Sequence, residues 1–409
     1  MNSDNLTIIK EPVPHVLLET KKELHGWYAG KRECTAERML INPYNGCGVN
    51  CFYCYTRALP GYFEAFHSDG TIFVSKDFDL TVARQLDSID VASCGYLSPV
   101  TDPFQKINEK YRLSEKIIDV FVNRNIPIEF ITKCKVPESV IDSIKKQKHS
   151  FGQVSILTTD ERLRKILAPG GTSTEELFTN LTRLAQNNIF AVCRIDPVFP
   201  FVTDEKKTLS ALVSKAVDSG AKHIITSVVD IAPKTASWFL ENIKKHFGNS
   251  VYYDYKQLYI EKIGYINAKI DYRKRIFDFL RNECDKHKVT FALCMEYAQS
   301  ILPPPPAEEG AGEGIIPGLN REFMSSRNCE GIDIPIYKRR GDKFYPAADC
   351  AGNCLNCADA MCGISDLAMS KYGSKKDFKL KDYRSWSKTK NDLIPVAGEL
   401  LFAKYKRKY

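Results

Sequence analysis

Short apolar runs alternate along this chain with stretches in which apolar residues recur every three to four positions. The runs fall at 92–97, 128–131, 152–157, 191–198 and 223–229, with a further one at 291–295. Continuous apolar runs of this length predict strands buried on both faces, as in parallel sheets. The stretches between them, 114–124, 137–148, 174–187 and 208–218, read as amphipathic helices. Ser114, Thr174 and Thr208 stand where N-caps or first-turn residues belong. Strand–helix alternation predicts parallel βαβ units and an α/β fold. Residues 1–37 read as a lead-in with strand character at 13–18, and 256–288 as one or two further helices.

The alternation stops at Pro303-Pro304-Pro305-Pro306, followed by Ala307-Glu308-Glu309-Gly310-Ala311-Gly312-Glu313-Gly314. Consecutive prolines stiffen the chain into an extended spacer, and the glycines after them loosen it. The pattern divides the chain into a lead-in (1–37), an α/β unit (38–300), a linker (301–314), a small cysteine-rich module (315–370) and a basic tail (371–409). A surface loop inside one domain, or a lid over the strand ends, are the other readings of the linker. A chain of 409 residues is long enough for one large core and a smaller module.

No apolar stretch is long enough to span a bilayer, and residues 1–10 lack the apolar core of a secretory signal. The expected compartment is the cytoplasm, with no membrane partner. Fourteen cysteines in such a chain point to metal or redox chemistry before disulfides. The formal charge is +8, and residues 371–409 account for all of it, with twelve Lys/Arg against four Asp/Glu. Aromatic residues from Tyr372 to Tyr409 interleave with those cations. The combination suits a nucleic-acid backbone and unpaired bases; a solvated tail that keeps the chain soluble is the plainer reading.

The chemistry is concentrated in two cysteine clusters. The first lies in Asn42-Pro43-Tyr44-Asn45-Gly46-Cys47-Gly48-Val49-Asn50-Cys51-Phe52-Tyr53-Cys54-Tyr55. Cubane iron–sulfur clusters normally take four cysteine thiolates. Three at C-x3-C-x2-C spacing can hold three irons and leave the fourth open. Zinc sites usually pair two C-x2-C units, whereas this triplet stands alone in its segment. The spacing, with Tyr53 and Tyr55 flanking Cys54, resembles the radical SAM superfamily, in which S-adenosylmethionine (SAM) chelates the open iron. Further blocks resemble the spore photoproduct lyase-like branch in order and spacing. They are Ser98-Pro99-Val100-Thr101-Asp102-Pro103-Phe104-Gln105 with Glu109, Phe130-Ile131-Thr132-Lys133, Val154-Ser155-Ile156, and Arg194-Ile195-Asp196-Pro197-Val198-Phe199-Pro200 with Asp204.

The resemblance implies an incomplete parallel (β/α)6 barrel with a [4Fe–4S] cluster on Cys47, Cys51 and Cys54 at its mouth. It implies SAM as cofactor and an electron donor such as ferredoxin or flavodoxin. The implied reaction is reductive cleavage of SAM to a 5′-deoxyadenosyl radical that takes a hydrogen atom from substrate. By the same resemblance Tyr55 lies near SAM, main chain at Tyr53 touches the adenine, and Thr101 helps bind SAM. Asp102, Lys133, Ser155 and Arg194 fall in matching blocks as further cofactor-binding candidates. Lys133 can pair with the SAM carboxylate as a point charge, or be an exposed lysine at a strand end. Arg194 and Asp196 read equally as a site pair at a strand terminus and as a structural ion pair.

One departure bears on the reaction. Photoproduct lyases carry a hydrogen-donor cysteine just before the Thr/Ser-Asp pair, and Ser98-Pro99-Val100 has none. Cys94, Cys134, Cys193 and Cys294 sit in apolar contexts and read as buried packing. A reaction other than repair of the spore thymine dimer is therefore expected. The substrate radical either regains hydrogen from 5′-deoxyadenosine or loses an electron. A second, fully ligated cysteine site beyond the linker makes the second route, which consumes SAM, the expected one.

That second cluster is the last motif. Cys350, Cys354, Cys357 and Cys362 fall within thirteen residues beyond the linker, enough thiols to saturate one metal. A second [4Fe–4S] cluster is the first reading and a structural zinc the alternative. Cys329 reads as a spare thiol, a ligand or a redox-active cysteine. Three functions are consistent with these features: a radical SAM enzyme that modifies or repairs nucleic acid, the same chemistry on a peptide or small metabolite, and a non-catalytic metal-bearing protein that binds nucleic acid.

Overall fold

The computed structural model describes residues 7–19, 24–28, 38–89, 91–263, 265–296, 299–300, 315–316, 319–326, 328–347, 350, 377–379, 393–396 and 399–403. Seven strands form a parallel barrel wall: β1 (Met39–Ile41), β2 (Gly95–Leu97), β3 (Ile128–Thr132), β4 (Phe151–Ser155), β5 (Phe190–Val198), β6 (His223–Val228) and β7 (Thr290–Leu293). They pair in that order, each parallel to the next. Beyond β1 the sheet continues antiparallel through His25–Tyr28 to Asp377–Lys379. All six apolar runs are strands. β1 makes one more than the expected six, and at three residues it is too short to stand out as a run.

Helices Leu113–Asn123, Glu138–Ile144, Thr174–Gln186, Lys206–Asp218 and Ile270–Lys286 follow or precede the strands as the pattern predicts. Thr174–Gln186 starts where Ser173 Oγ accepts the Glu176 N–H at 3.2 Å, one residue before the expected cap. It buries Leu177, Phe178, Leu181 and Leu184, each such side chain stabilising the fold by about 1.5–3 kcal/mol. The helical reading of 256–288 is corrected in its first part. Leu258 ends a helix, and a hairpin of Tyr259–Ile263 with Tyr265–Ala268 precedes Ile270–Lys286. The aromatic and β-branched residues of that hairpin favour strand.

The chain beyond the Pro/Gly stretch closes the barrel floor. Ile334 packs inside against Cys94, Phe151, Val192 and Ile225, while Leu319, Phe323, Ile336, Tyr337 and Phe344 join the main core. Gly331, at φ 73°, lets the backbone lie against His223, where a Cβ would meet the ring at 2.4 Å. His223 Nε2 donates to Cys329 O at 2.9 Å. A polar ladder then runs up the interior. Glu330 and Glu129 both bind Arg38, Gln153 donates to Glu129 (2.6 Å), and Arg194 donates to Gln153 (3.0 Å). Cys354, Cys357, Cys362 and most of the basic tail lie outside the described residues.

Candidate active site at the barrel mouth

The loop after β1 carries Cys47, Cys51 and Cys54. Gly46 (φ 97°) and Asn50 (φ 54°) turn it through left-handed conformations. Asn50 N donates to Cys47 O (3.1 Å) and Cys54 N to Cys51 O (3.3 Å), so the cysteines ride consecutive turns into the 3-10 helix Tyr55–Ala58. Phe52 anchors the loop in the core against Phe199 and Phe239. Gln105 bridges Gly48 N (2.7 Å) and Gly46 O (3.2 Å). Arg57 donates to Cys51 O (3.1 Å) and lies over Trp238, whose indole N–H donates to Phe52 O. Gly170 comes so close that a Cβ there would stand 2.0 Å from Gly48 O.

The three thiols are free. Burial pushes Cys47 well up, and the Asp102 carboxylate and the other two cysteines act in the same direction. Burial pushes Cys51 up to about 11, with Lys133 offsetting part of the rise. Thiols held this way ionise against a strong positive group, which iron supplies on binding. The Asp102 N–H already donates to Cys47 Sγ at 3.3 Å. Ser98 Oγ and Thr101 Oγ1 are buried with no hydrogen-bond partner among the described residues, which suits a bound molecule beside the loop. Among the described residues no three donors converge on a single-ion position; a cubane takes one thiolate per iron and needs no such convergence. The residues present therefore fit the cluster and SAM.

The other sequence candidates reach the same mouth, since each follows or ends a barrel strand. Tyr55 is exposed and donates to Pro99 O (2.9 Å), and Tyr53 meets Phe199 edge-on with ring centroids 4.9 Å apart. The Asp102 carboxylate is turned inward. Oδ1 accepts from Phe104 N (3.0 Å) and Thr132 Oγ1 (2.8 Å), and Oδ2 accepts from Lys133 N (2.6 Å). It thereby ties the loop after β2 to the end of β3 and positions Lys133. The Lys133 ammonium makes no ion pair among the described residues and stands in the field of Cys51, Asp102 and Asp196. Ser155 is buried at the end of β4, its Oγ 3.5 Å from Asp196 O. Arg194 pairs with Asp196 through Nε at 3.1 Å. Burial pushes Asp196 up, but the Arg194 guanidinium and the Ser227 hydroxyl outweigh it and hold the carboxyl below its usual value. Cys294 does more than pack: it is half-buried, and its Sγ lies 2.9 Å from Arg194 Nη2.

Sequence reading missed three contributors. The Gly170-Gly171 pair was visible, but not the loop it supports. Arg57 and Trp238 carry no local signal of their joint role. Asp230, directly after an apolar run, stands at a strand's carboxyl end, where barrel sites collect.

The fold, the cysteine loop and the mouth have the features of a radical SAM enzyme, and residues 41–212 match the radical SAM superfamily. Over 387 residues, 91% of this chain and 78% of the relative, it is 26% identical to a radical SAM Nalpha-GlyT isomerase of Pseudomonas phage M6. It is 23% identical over 217 residues to an uncharacterised protein of Mycobacterium tuberculosis, covering 50% of this chain and 62% of that one. A spore photoproduct lyase variant solved with bound AdoMet and dinucleoside spore photoproduct shares the fold, at TM-score 0.52 and 14% identity over 67% of this chain and 79% of that one. Among the described residues no helix is long and apolar enough to cross a membrane.

Proposed function

We propose that this enzyme rearranges or otherwise modifies a nucleotide within nucleic acid by radical chemistry. The observation that carries the reading is similarity to an isomerase across nearly the whole chain. The lyase fold that accommodates a dinucleoside lesion and the basic aromatic tail support the nucleic-acid substrate. When bound, the cluster on Cys47, Cys51 and Cys54 and its SAM supply a radical that takes hydrogen from the substrate. Lys133 and the Thr101 hydroxyl hold SAM, Asp102 fixes Lys133, and Arg194 with Asp196 forms the inner wall that orients the substrate. An isomerisation leaves the hydrogen count unchanged. The absence of a thiol at Ser98-Pro99-Val100 then favours return of hydrogen from 5′-deoxyadenosine, so SAM recycling replaces the SAM consumption expected from the second cysteine cluster.

Cys350, Cys354, Cys357 and Cys362 are the proposed ligands of a second metal centre, [4Fe–4S] or zinc. A ferredoxin or flavodoxin is the proposed reductant, and the cytoplasm the proposed location. Anaerobically reconstituted protein, incubated with SAM, dithionite and single-stranded DNA or RNA, should form a nucleoside isomer of unchanged mass, with many turnovers per SAM. The Cys47→Ala/Cys51→Ala/Cys54→Ala variant should lose about four irons and form no 5′-deoxyadenosine. Activity only on peptides or free metabolites would overturn the nucleic-acid reading, and SAM-independent behaviour would overturn the radical one.

A further inference from the structure

The cysteine loop has an outer flank that the cofactor candidates do not use. It is built by the 3-10 helix Tyr55–Ala58 and the first half of the helix Ala236–Leu258, up to the kink at Gly248. That half buries Phe239 and Ile243 and places Trp238 and Lys245, seven residues apart, on one exposed stripe. Trp238 is 49% exposed, yet its indole N–H donates to Phe52 O at 3.1 Å. Phe52 stands between Cys51 and Cys54, so one hydrogen bond joins this surface to the peptide run that links two cluster ligands. The Arg57 guanidinium lies over the Trp238 ring, 5.0 Å from its centroid, and donates to Cys51 O at 3.1 Å. His246, on the same helix, stacks on the Phe52 ring with centroids 6.2 Å apart. Around this plate stand Lys234, Lys244 and Lys245, all exposed. Glu64 lies 3.8 Å from Lys234, and Glu241 is the one carboxylate of the helix half. Arg57, Lys244 and Lys245 make no ion pair among the described residues. The flank is therefore positive, with an aromatic–arginine centre and a lysine rim.

We propose that this flank is the docking surface for the acidic carrier protein that delivers electrons to the cluster. The inference rests on the reductant proposed above and gives it a place on the chain. The carrier gives up one electron to the cluster and is itself oxidised by one; no bond is made or broken. Such a partner must come close to the cluster without entering the barrel, and this surface lies one hydrogen bond from the peptide run between two of the ligands. Tryptophan and arginine at the centre of an interface carry affinity, and lysines around them complement an acidic partner and speed its approach. Redox encounters are weak and bury little area, which suits a patch of this size. A nucleic-acid strand is also anionic, but a substrate has to reach the inside of the mouth, where Lys133, Ser155 and Arg194 stand.

The test uses reconstituted holoenzyme and a fluorescently labelled acidic flavodoxin, with binding read by anisotropy. Affinity should fall about tenfold between low salt and roughly 0.3 M salt, because salt screens exposed charges. Lys244→Glu/Lys245→Glu should weaken binding about tenfold at low salt and flatten the salt dependence. The same reversal at the opposite end of the barrel, Lys145→Glu/Lys146→Glu between the helix Glu138–Ile144 and the start of β4, should leave binding unchanged. Melting temperature, iron per chain and dithionite-driven 5′-deoxyadenosine formation should be the same in both variants as in the wild type. Flavodoxin-driven formation should fall about tenfold in the Lys244/Lys245 variant alone. A Lys244/Lys245 variant that binds flavodoxin as tightly as the wild type would overturn the inference. So would one that loses affinity for a single-stranded oligonucleotide and not for flavodoxin, because the flank would then belong to nucleic acid. Loss of flavodoxin binding in a protein that never cleaves SAM, even with dithionite, would sustain the docking surface and remove the radical reaction.

Discussion

Two aspartates at the mouth show how differently the fold uses the same side chain. Asp102 is buried and holds three protein donors. Replacing it with alanine leaves the Phe104 and Lys133 N–H groups without an acceptor, at a cost of about 2–4 kcal/mol. Urea unfolding should report the loss, and Asp102→Asn, which keeps one acceptor, should lose less. Asp230 has no such partners, and burial raises its pKa to about 7. Glu296 and Asp196 act in the same direction, and Arg273 opposes; Tyr259 on the hairpin also faces it. The group is a carboxylate above that value and neutral below it. Stability depends on this group through its proton. A carboxyl whose pKa is raised on folding favours the fold at low pH and disfavours it as pH rises through about 7. A urea stability that does not fall between about pH 4 and about pH 7, the ordinary and raised values of this carboxyl, would contradict the shift.

At the scale of elements, the cysteine loop depends on a neighbour distant in sequence. Gly170 N donates to Val49 O at 3.0 Å, and any side chain at 170 collides with Gly48 O. Gly170→Ala should push the loop off the barrel. The expected result is a clear fall in iron bound per chain, with a stability loss of about 1–3 kcal/mol and little change in far-ultraviolet dichroism. Full iron loading would show that the loop accommodates the clash. This contact also marks where sequence reading ends. The thiol spacing and the strand-end positions of Lys133 and Arg194 are local patterns, and the structure brings them to one mouth. That Asp102 turns inward, and that Gly170 supports the loop, depend on chain segments meeting across the barrel. Similarly, β1 is too short to register as a run, and the Tyr259–Ala268 hairpin sits between two helices whose pattern hides it.

At the scale of the whole molecule, the Pro/Gly stretch reads in the sequence as a boundary, yet residues 319–347 pack into the barrel floor and share its core. Composition marks a joint in the sequence, but not whether the chain after it folds back. The apolar spacing of Ile332, Ile334 and Ile336 was available as a sign that it does. The deepest consequence is Glu330, which enters the barrel beside Arg38 and Glu129. Burial first, then the neighbouring Glu330 carboxyl, raises the Glu129 pKa well above normal, with Arg38 only partly offsetting them. One guanidinium thus serves two buried carboxyls. Glu330→Ala removes one partner from this buried group, and such losses cost about 3–5 kcal/mol. Glu330→Gln keeps the shape and an acceptor for Arg38, so it should cost less than half as much. Because Gln153 links Glu129 to Arg194, the alanine variant should also loosen the mouth, raising the Kd for a single-stranded oligonucleotide probe more than the glutamine variant does. Urea midpoints and probe affinities for the two variants check both statements. Equal, small effects from both would mean that the floor segment closes the barrel through its isoleucines alone.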